Sequence, residues 1–180
     1  MAKNKEDLYP LITFMTELGR VRHDARLIVL VASGVIELFV NTLVEARCRN
    51  SRTITSDSRG YPLSTRLIIL NEIGALPDRE FRLYDWFRKI RNRAAHDPLF
   101  QVTASDLAHL KRKYQDPSNF HKVCQNLVAG LWNANIPLLE PRFMPGLKGF
   151  KRAPRQKGEP RPPRPAAELL PPQSRRIRTK

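Results

Sequence analysis

Cysteine is nearly absent from this chain: Cys48 and Cys124 are the only two in 180 residues. That excludes a disulfide framework and points to a reducing compartment, the cytosol. No stretch alternates apolar and polar residues in the manner of a half-buried strand, and no internal repeat is present. Glycine never forms a GxxxxGK[ST] or GxGxxG loop, which removes the usual phosphate-cradling nucleotide sites. His23, His109 and His121 are scattered, and neither cysteine stands at a ligand-like spacing to them, so no metal and no cofactor is expected. No apolar run reaches the ~20 residues needed to cross a bilayer. The most apolar stretch, residues 27–40, is fourteen long and contains Glu37, which reads as a buried core helix. The opening Met-Ala-Lys-Asn-Lys-Glu-Asp lacks the apolar run of a signal peptide. A soluble cytoplasmic protein with no membrane partner is the expectation.

Acidic residues are the other shortage: 17 Asp and Glu stand against 32 Lys and Arg, a net charge of +15. The excess is concentrated at one end. From residue 141 to 180, twelve Lys and Arg face only Glu159 and Glu168, so that segment carries +10 and residues 1–140 the remaining +5. Nine of the fifteen prolines fall there too, in runs such as Arg161-Pro162-Pro163-Arg164-Pro165. Such a segment buries too little apolar surface to offset its ordering entropy, and reads as a disordered basic tail. Leu169-Leu170 is its one sticky spot. A basic chain favours acidic partners, nucleic acid or an anionic membrane, through counterion release. A merely solvated tail is the plainer alternative.

What remains, residues 1–140, reads as one all-α domain, a bundle of about five or six helices. Leu8, Leu11, Ile12, Met15 and Leu18 place a first helix over residues 5–21. Asp24 can cap a second, running to Arg47, apolar almost all round and so central. Residues 50–62, rich in Ser, Thr, Arg, Asp and Gly, read as a loop. A third helix starts at Pro62 or Ser64 and is stopped by Gly74. Leu76-Pro77-Asp78 opens a fourth, whose Phe81, Tyr84, Phe87, Ile90 and Ala94 form an inner stripe. Asp97-Pro98 ends it, because the residue before proline is pushed out of the helical region. Thr103 to Asp106 caps a short helix reaching Tyr114, and Asp116-Pro117-Ser118 opens a last one through Trp132. Trp86 and Trp132 fall on core stripes, and Lys111-Arg112-Lys113 reads as a solvated face.

The chemistry-bearing segment is Ile90-Arg91-Asn92-Arg93-Ala94-Ala95-His96-Asp97. Arg91 and His96 lie five positions apart, about 140° around an ideal helix, whereas Asn92 and His96 share a face. Pro98 puts His96 in a last turn, where fraying can swing the imidazole toward Arg91 or a partner chain. An arginine there can hold a scissile phosphate with two donors, and a histidine can serve as general base or acid for the 2′-hydroxyl or the leaving 5′-oxygen. One chain supplies one such histidine, so acid and base together call for a symmetric dimer. Arg88, Lys89 and Arg93 add positive charge suited to RNA. The bland alternative is a terminal histidine that only complements the helix dipole.

Those residues, with Leu70-Asn71-Glu72-Ile73-Gly74-Ala75-Leu76-Pro77-Asp78 and Trp86-Phe87-Arg88-Lys89 before them, resemble the mannitol operon repressor family within or close to the HEPN group. Ala32-Ser33-Gly34-Val35-Ile36-Glu37 is similar to that family's second helix. The resemblance covers roughly residues 20–135 and leaves the tail without a counterpart. It implies a HEPN-like helical bundle, a homodimer, and Arg91 and His96 as an Arg-x4-His pair. Asn92 would be its polar partner, and Glu37 an acidic residue facing it. The implied activity is a metal-independent endoribonuclease of the toxin or defence kind, acting on RNA and held in check by a protein partner such as an antitoxin. The other branch of the resemblance is a non-catalytic transcriptional or metabolic regulator working through protein contacts.

Overall fold

The computed structural model describes residues 10–144 and 169–171, and within them every regular element is helical. The first is α1, Pro10–Arg20, so the start of the helix expected from residue 5 lies outside the described residues. α2, Ala25–Arg47, begins where the sequence places its cap: the Asp24 carboxylate accepts from the backbone N–H groups of Arg26 and Leu27, both at 2.9 Å. Two otherwise orphaned donors are satisfied by this side chain.

α2 is the axis of the molecule, packing against α1 and against five later helices introduced below. Ile28, Val29, Ala32, Val35, Ile36, Phe39, Val40, Leu43 and Val44 are all buried along it. The apolar surround is not fully covered, however. Leu27, Leu30 and Leu38 remain 46%, 36% and 43% exposed, and with Gly34 they make one open stripe at helical spacing. By length and composition α2 is able to cross a membrane, but 61% of its apolar stretch is buried inside the bundle.

The segment expected to be a loop contains a short helix, α3, Ser51–Ser56, anchored by Ile54, which is buried against the core. α4, Leu63–Glu72, ends in a left-handed turn at Gly74 (φ +71°), where the N–H groups of Ala75 and Leu76 both reach the Leu70 carbonyl at 2.9 Å. This is the helix stop that glycine permits without a Cβ penalty. α5, Asp78–His96, buries Leu83, Tyr84, Phe87, Ile90 and Ala94, with the Tyr84 hydroxyl donating to the Leu127 carbonyl at 3.1 Å.

Thr103 and Asp106 form a reciprocal capping box at the start of α6, Ala104–Leu107. The expected continuation to Tyr114 breaks up. The Asp106 carbonyl accepts from the Trp86 indole, and the Ala108 and Leu110 carbonyls accept from the Gln115 amide. With those acceptors taken by side chains, the chain passes through 3-10 turns at Arg112–Tyr114 and Pro117–Asn119 before α7, Phe120–Ala134.

A further helix follows, α8, Ile136–Phe143, which crosses the boundary drawn at residue 140. Pro141 forgoes one helical hydrogen bond, but Leu139 and Phe143 are buried and offset it. Phe143 packs edge-on against Phe39 (5.1 Å between centroids) and Phe14 (6.1 Å), while Trp132 lies on Phe39 at 5.7 Å. The described residues thus form an all-α bundle of eight α-helices rather than five or six. Most of the tail read as disordered lies outside the described residues. Beyond the end of α8, residues 169–171 are the exception, for Leu169 is fully buried against the bundle.

Candidate functional site

α5 turns one face to the core, which leaves Arg88, Arg91 and Asn92 along its flank. Arg26, at the start of α2, donates to the Asp97 carbonyl at the end of α5, so the two packed helices run antiparallel. This places Glu37 of α2 opposite the middle of α5. Between them, closed by Ser58 and by the Pro62, Leu63 and Ser64 start of α4, lies a cavity of about 260 Å³ lined by Glu37, Arg88, Arg91 and Asn92. That is below the roughly 300–1,000 Å³ of sites enclosing a drug-sized ligand. It suits a charged group such as a phosphodiester better than a whole cofactor.

The charges in this cavity are unevenly matched. Glu37 is held by Arg66, whose guanidinium lies 3.3 Å from its carboxylate and also donates to the Asn41 side chain at 2.7 Å. Arg88 and Lys89 share Asp85, at 2.9 Å each. Burial alone would push the Asp85 carboxyl up, but hydrogen bonds from Lys89 and Arg88, with their charges, hold it below the ordinary carboxylate range. Arg91 donates to the Asn92 side-chain oxygen at 3.3 Å, and among the described residues it forms no salt bridge. A half-buried guanidinium with an uncharged partner, in a small cavity bordered by two serines, is chemically an anion acceptor.

Of the predicted site residues, the structure brings Glu37, Arg88, Arg91 and Asn92 together and leaves three outside. Lys89 projects to solvent on its Asp85 bridge. Arg93 belongs to the α5–α6 junction: it pairs with Asp106, donates to the Gln101 carbonyl at 3.1 Å and lies over the Phe100 ring. His96 is exposed in the last turn and does not line the cavity. α5 stays helical through His96, its cap closed by the Asp97 N–H to Arg93 carbonyl bond at 2.8 Å, so the five-residue spacing keeps the imidazole away from Arg91. The expected fraying toward Arg91 within one chain is not what the structure has.

One functional residue escaped the sequence reading. Arg66 is only 2% exposed, the largest of the fully buried side chains, and it fixes the carboxylate of Glu37 at the cavity wall. The signal was present: Leu63, Arg66, Leu67 and Leu70 share one helical face, so a lone arginine sits on an apolar stripe and needs a partner. Ser58 and Ser64 carried no such signal, because a serine in a loop or in the first turn of a helix is ordinary. Among the described residues, no three His, Cys, Asp or Glu side chains converge as a metal-binding group would.

Compared with family models, with curated proteins and with solved structures, the chain finds no match, so its function rests on its own residues.

Proposed function

We propose that this is a cytoplasmic HEPN-type protein that binds RNA phosphates in the Glu37–Arg91 cavity and cleaves RNA as a homodimer without a metal. The observation that carries the reading is Arg91: a half-buried guanidinium facing a small cavity, with no carboxylate bridging it among the described residues. Arg66 supports it by neutralising Glu37, so the acid does not cancel the positive field of Arg88 and Arg91. The basic segment 141–180 adds sequence-independent attraction to the same polyanion.

The dimer supplies what one chain lacks. His96 and Ala95 are exposed at the end of α5, beside the start of α2, whose open stripe of Leu27, Leu30, Gly34 and Leu38 offers an apolar face to a second copy. A Cβ on Gly34 would meet nothing within 4 Å, so the face is clear for close approach. Across that face the two His96 imidazoles divide the work. The neutral one accepts the 2′-hydroxyl proton as that oxygen attacks phosphorus. The protonated one donates to the 5′-oxygen as its bond to phosphorus breaks, leaving a 2′,3′-cyclic phosphate and a 5′-hydroxyl. Arg91 and Asn92 would hold the phosphate and stabilise the extra charge of the transition state. In this reading Arg88 and Lys89 bind flanking phosphates, and a protein partner such as an antitoxin would act by covering the cavity.

A second reading, a non-catalytic regulator similar to the mannitol operon repressor, is favoured by the position of His96 outside the cavity. One experiment separates them. The 180-residue chain incubated with structured RNA in EDTA should cut it, and His96→Ala and Arg91→Ala should each abolish cutting while the circular dichroism spectrum stays unchanged. Wild-type protein that dimerises yet cuts no RNA would leave the regulator standing.

A further inference from the structure

Far along the sequence from the bundle, three residues return to it. Leu169 is fully buried and joins the hydrophobic core, and Leu170 packs half-buried beside it. Their backbone is read by polar groups from two separate elements. The Lys111 N–H donates to the Leu169 carbonyl at 2.7 Å. The Arg79 guanidinium donates to the Leu170 carbonyl at 2.5 Å and to the Pro171 carbonyl at 2.9 Å. Arg79 stands at the start of α5 and Lys111 between α6 and the first 3-10 turn, so the contact bridges two parts of the bundle that are far apart in sequence. The Arg79 Nε is itself buried with no hydrogen-bond partner among the described residues, so the contact is made through a single terminal nitrogen, Nη2.

These contacts have the form of short-motif recognition. One side chain is buried in the core, two successive carbonyls are held by one guanidinium nitrogen, and a proline follows that cannot continue a helix. Nine of the chain's prolines and twelve of its basic residues lie from residue 141 onward, and the described piece beyond α8 contains the one adjacent pair of leucines there. We infer that the surface between Arg79 and Lys111 is a peptide-docking site for a Leu-Leu-Pro segment, filled in cis by residues 169–171 of the same chain. It is a binding site separate from the Glu37–Arg91 cavity and independent of any action on RNA. Its occupant pins the basic tail at one point, with Arg175, Arg176, Arg178 and Lys180 beyond the pin. A partner carrying the same Leu-Leu-Pro chemistry gains access when the latch opens.

A tethered segment competes at an effective concentration on the order of millimolar. A free peptide of about 10 μM affinity is therefore weakened on the order of 100-fold while the latch is closed. The test uses the full chain and a fluorescent peptide of residues 165–174, read by anisotropy. Wild-type protein should bind the peptide at least tenfold more weakly than Leu169→Asp, in which the cis segment can no longer fill the pocket. Adding Arg79→Ala to Leu169→Asp should return binding to the weak level. Leu169→Ser, read in the same assay, covers the event that the aspartate variant does not fold. Equal binding by wild type and the folded variants, or no binding by either variant, overturns the proposal. So does a wild-type dimer, seen by sedimentation, that is lost on Leu169→Asp, since the segment would then be exchanged between copies.

Discussion

Replacing Glu37 by glutamine should destabilise this protein more than replacing its buried partner Arg66 by methionine. The two charges meet at 3.3 Å, but Arg66 is 2% exposed and Glu37 41%. At an effective dielectric near 20, unit charges about 4 Å apart attract by about 4 kcal/mol. Because Glu37 is partly hydrated, roughly half of that attraction survives screening, about 2 kcal/mol. Glu37→Gln removes it and leaves a buried guanidinium, whose Nε is already unpartnered, with uncharged acceptors only. Arg66→Met behaves differently. Glu37 and Asn41 both reach solvent and can hydrate, while a flexible apolar side chain replaces a desolvated cation. The expected cost is within about 1 kcal/mol of wild type. For a chain of this size, about 2 kcal/mol lowers Tm by roughly 4–8 °C. Urea unfolding of the two single variants and the double variant measures each value and their coupling. An Arg66→Met protein that unfolds at lower urea than Glu37→Gln would reverse the inequality and overturn this account of the pair.

Two further outcomes are expected. Asp106 is pushed up by burial, yet hydrogen bonds from Arg93 and Thr103 outweigh that and hold its carboxyl below the ordinary range. A depressed folded pKa gives stability that is present above the unfolded value and is lost as pH falls through the folded one. The urea midpoint of wild type should therefore drop below about pH 5, and that of Asp106→Asn should drop less; parallel pH profiles would contradict the assignment. Leu139→Ala, in α8, should cost about 2–5 kcal/mol because the side chain is fully buried and its cavity cannot fill. A thermal melt within 2 °C of wild type, on the order of half a kcal/mol, would mean that α8 adds no stability to the bundle.

α2 carries two demands, and its exposed stripe is where they conflict. A central helix packed by six others should be apolar all round, yet Leu27, Leu30, Gly34 and Leu38 face outward while Glu37 turns to the cavity. Exposed leucines at helical spacing gain nothing for the folded monomer, and the proposed dimer is the reading that would cover them.

Local chemistry was legible from the sequence wherever one residue decides its own neighbourhood. Asp24 caps α2, Gly74 stops α4 with a positive φ, Thr103 and Asp106 box the start of α6, and Pro98 marks the end of α5, because each effect acts within a few residues along the chain. The same holds for the all-helical class, which follows from spacing alone. Long-range partners were not legible. Whether Ile54 holds a helix in a polar stretch, whether Leu139 and Phe143 extend the bundle past residue 140, and whether Leu169 returns to Arg79 and Lys111 all depend on surfaces supplied by distant segments. The candidate site divides in the same way. Its arginines and Asn92 announce themselves in one short stretch of α5, but their union with Glu37, the burial of Arg66 and the outward position of His96 come only from the antiparallel packing of α2 on α5. The helix phase is set by the sequence, while the neighbour each face meets is set by tertiary packing, where the free energy of burial and charge pairing resides.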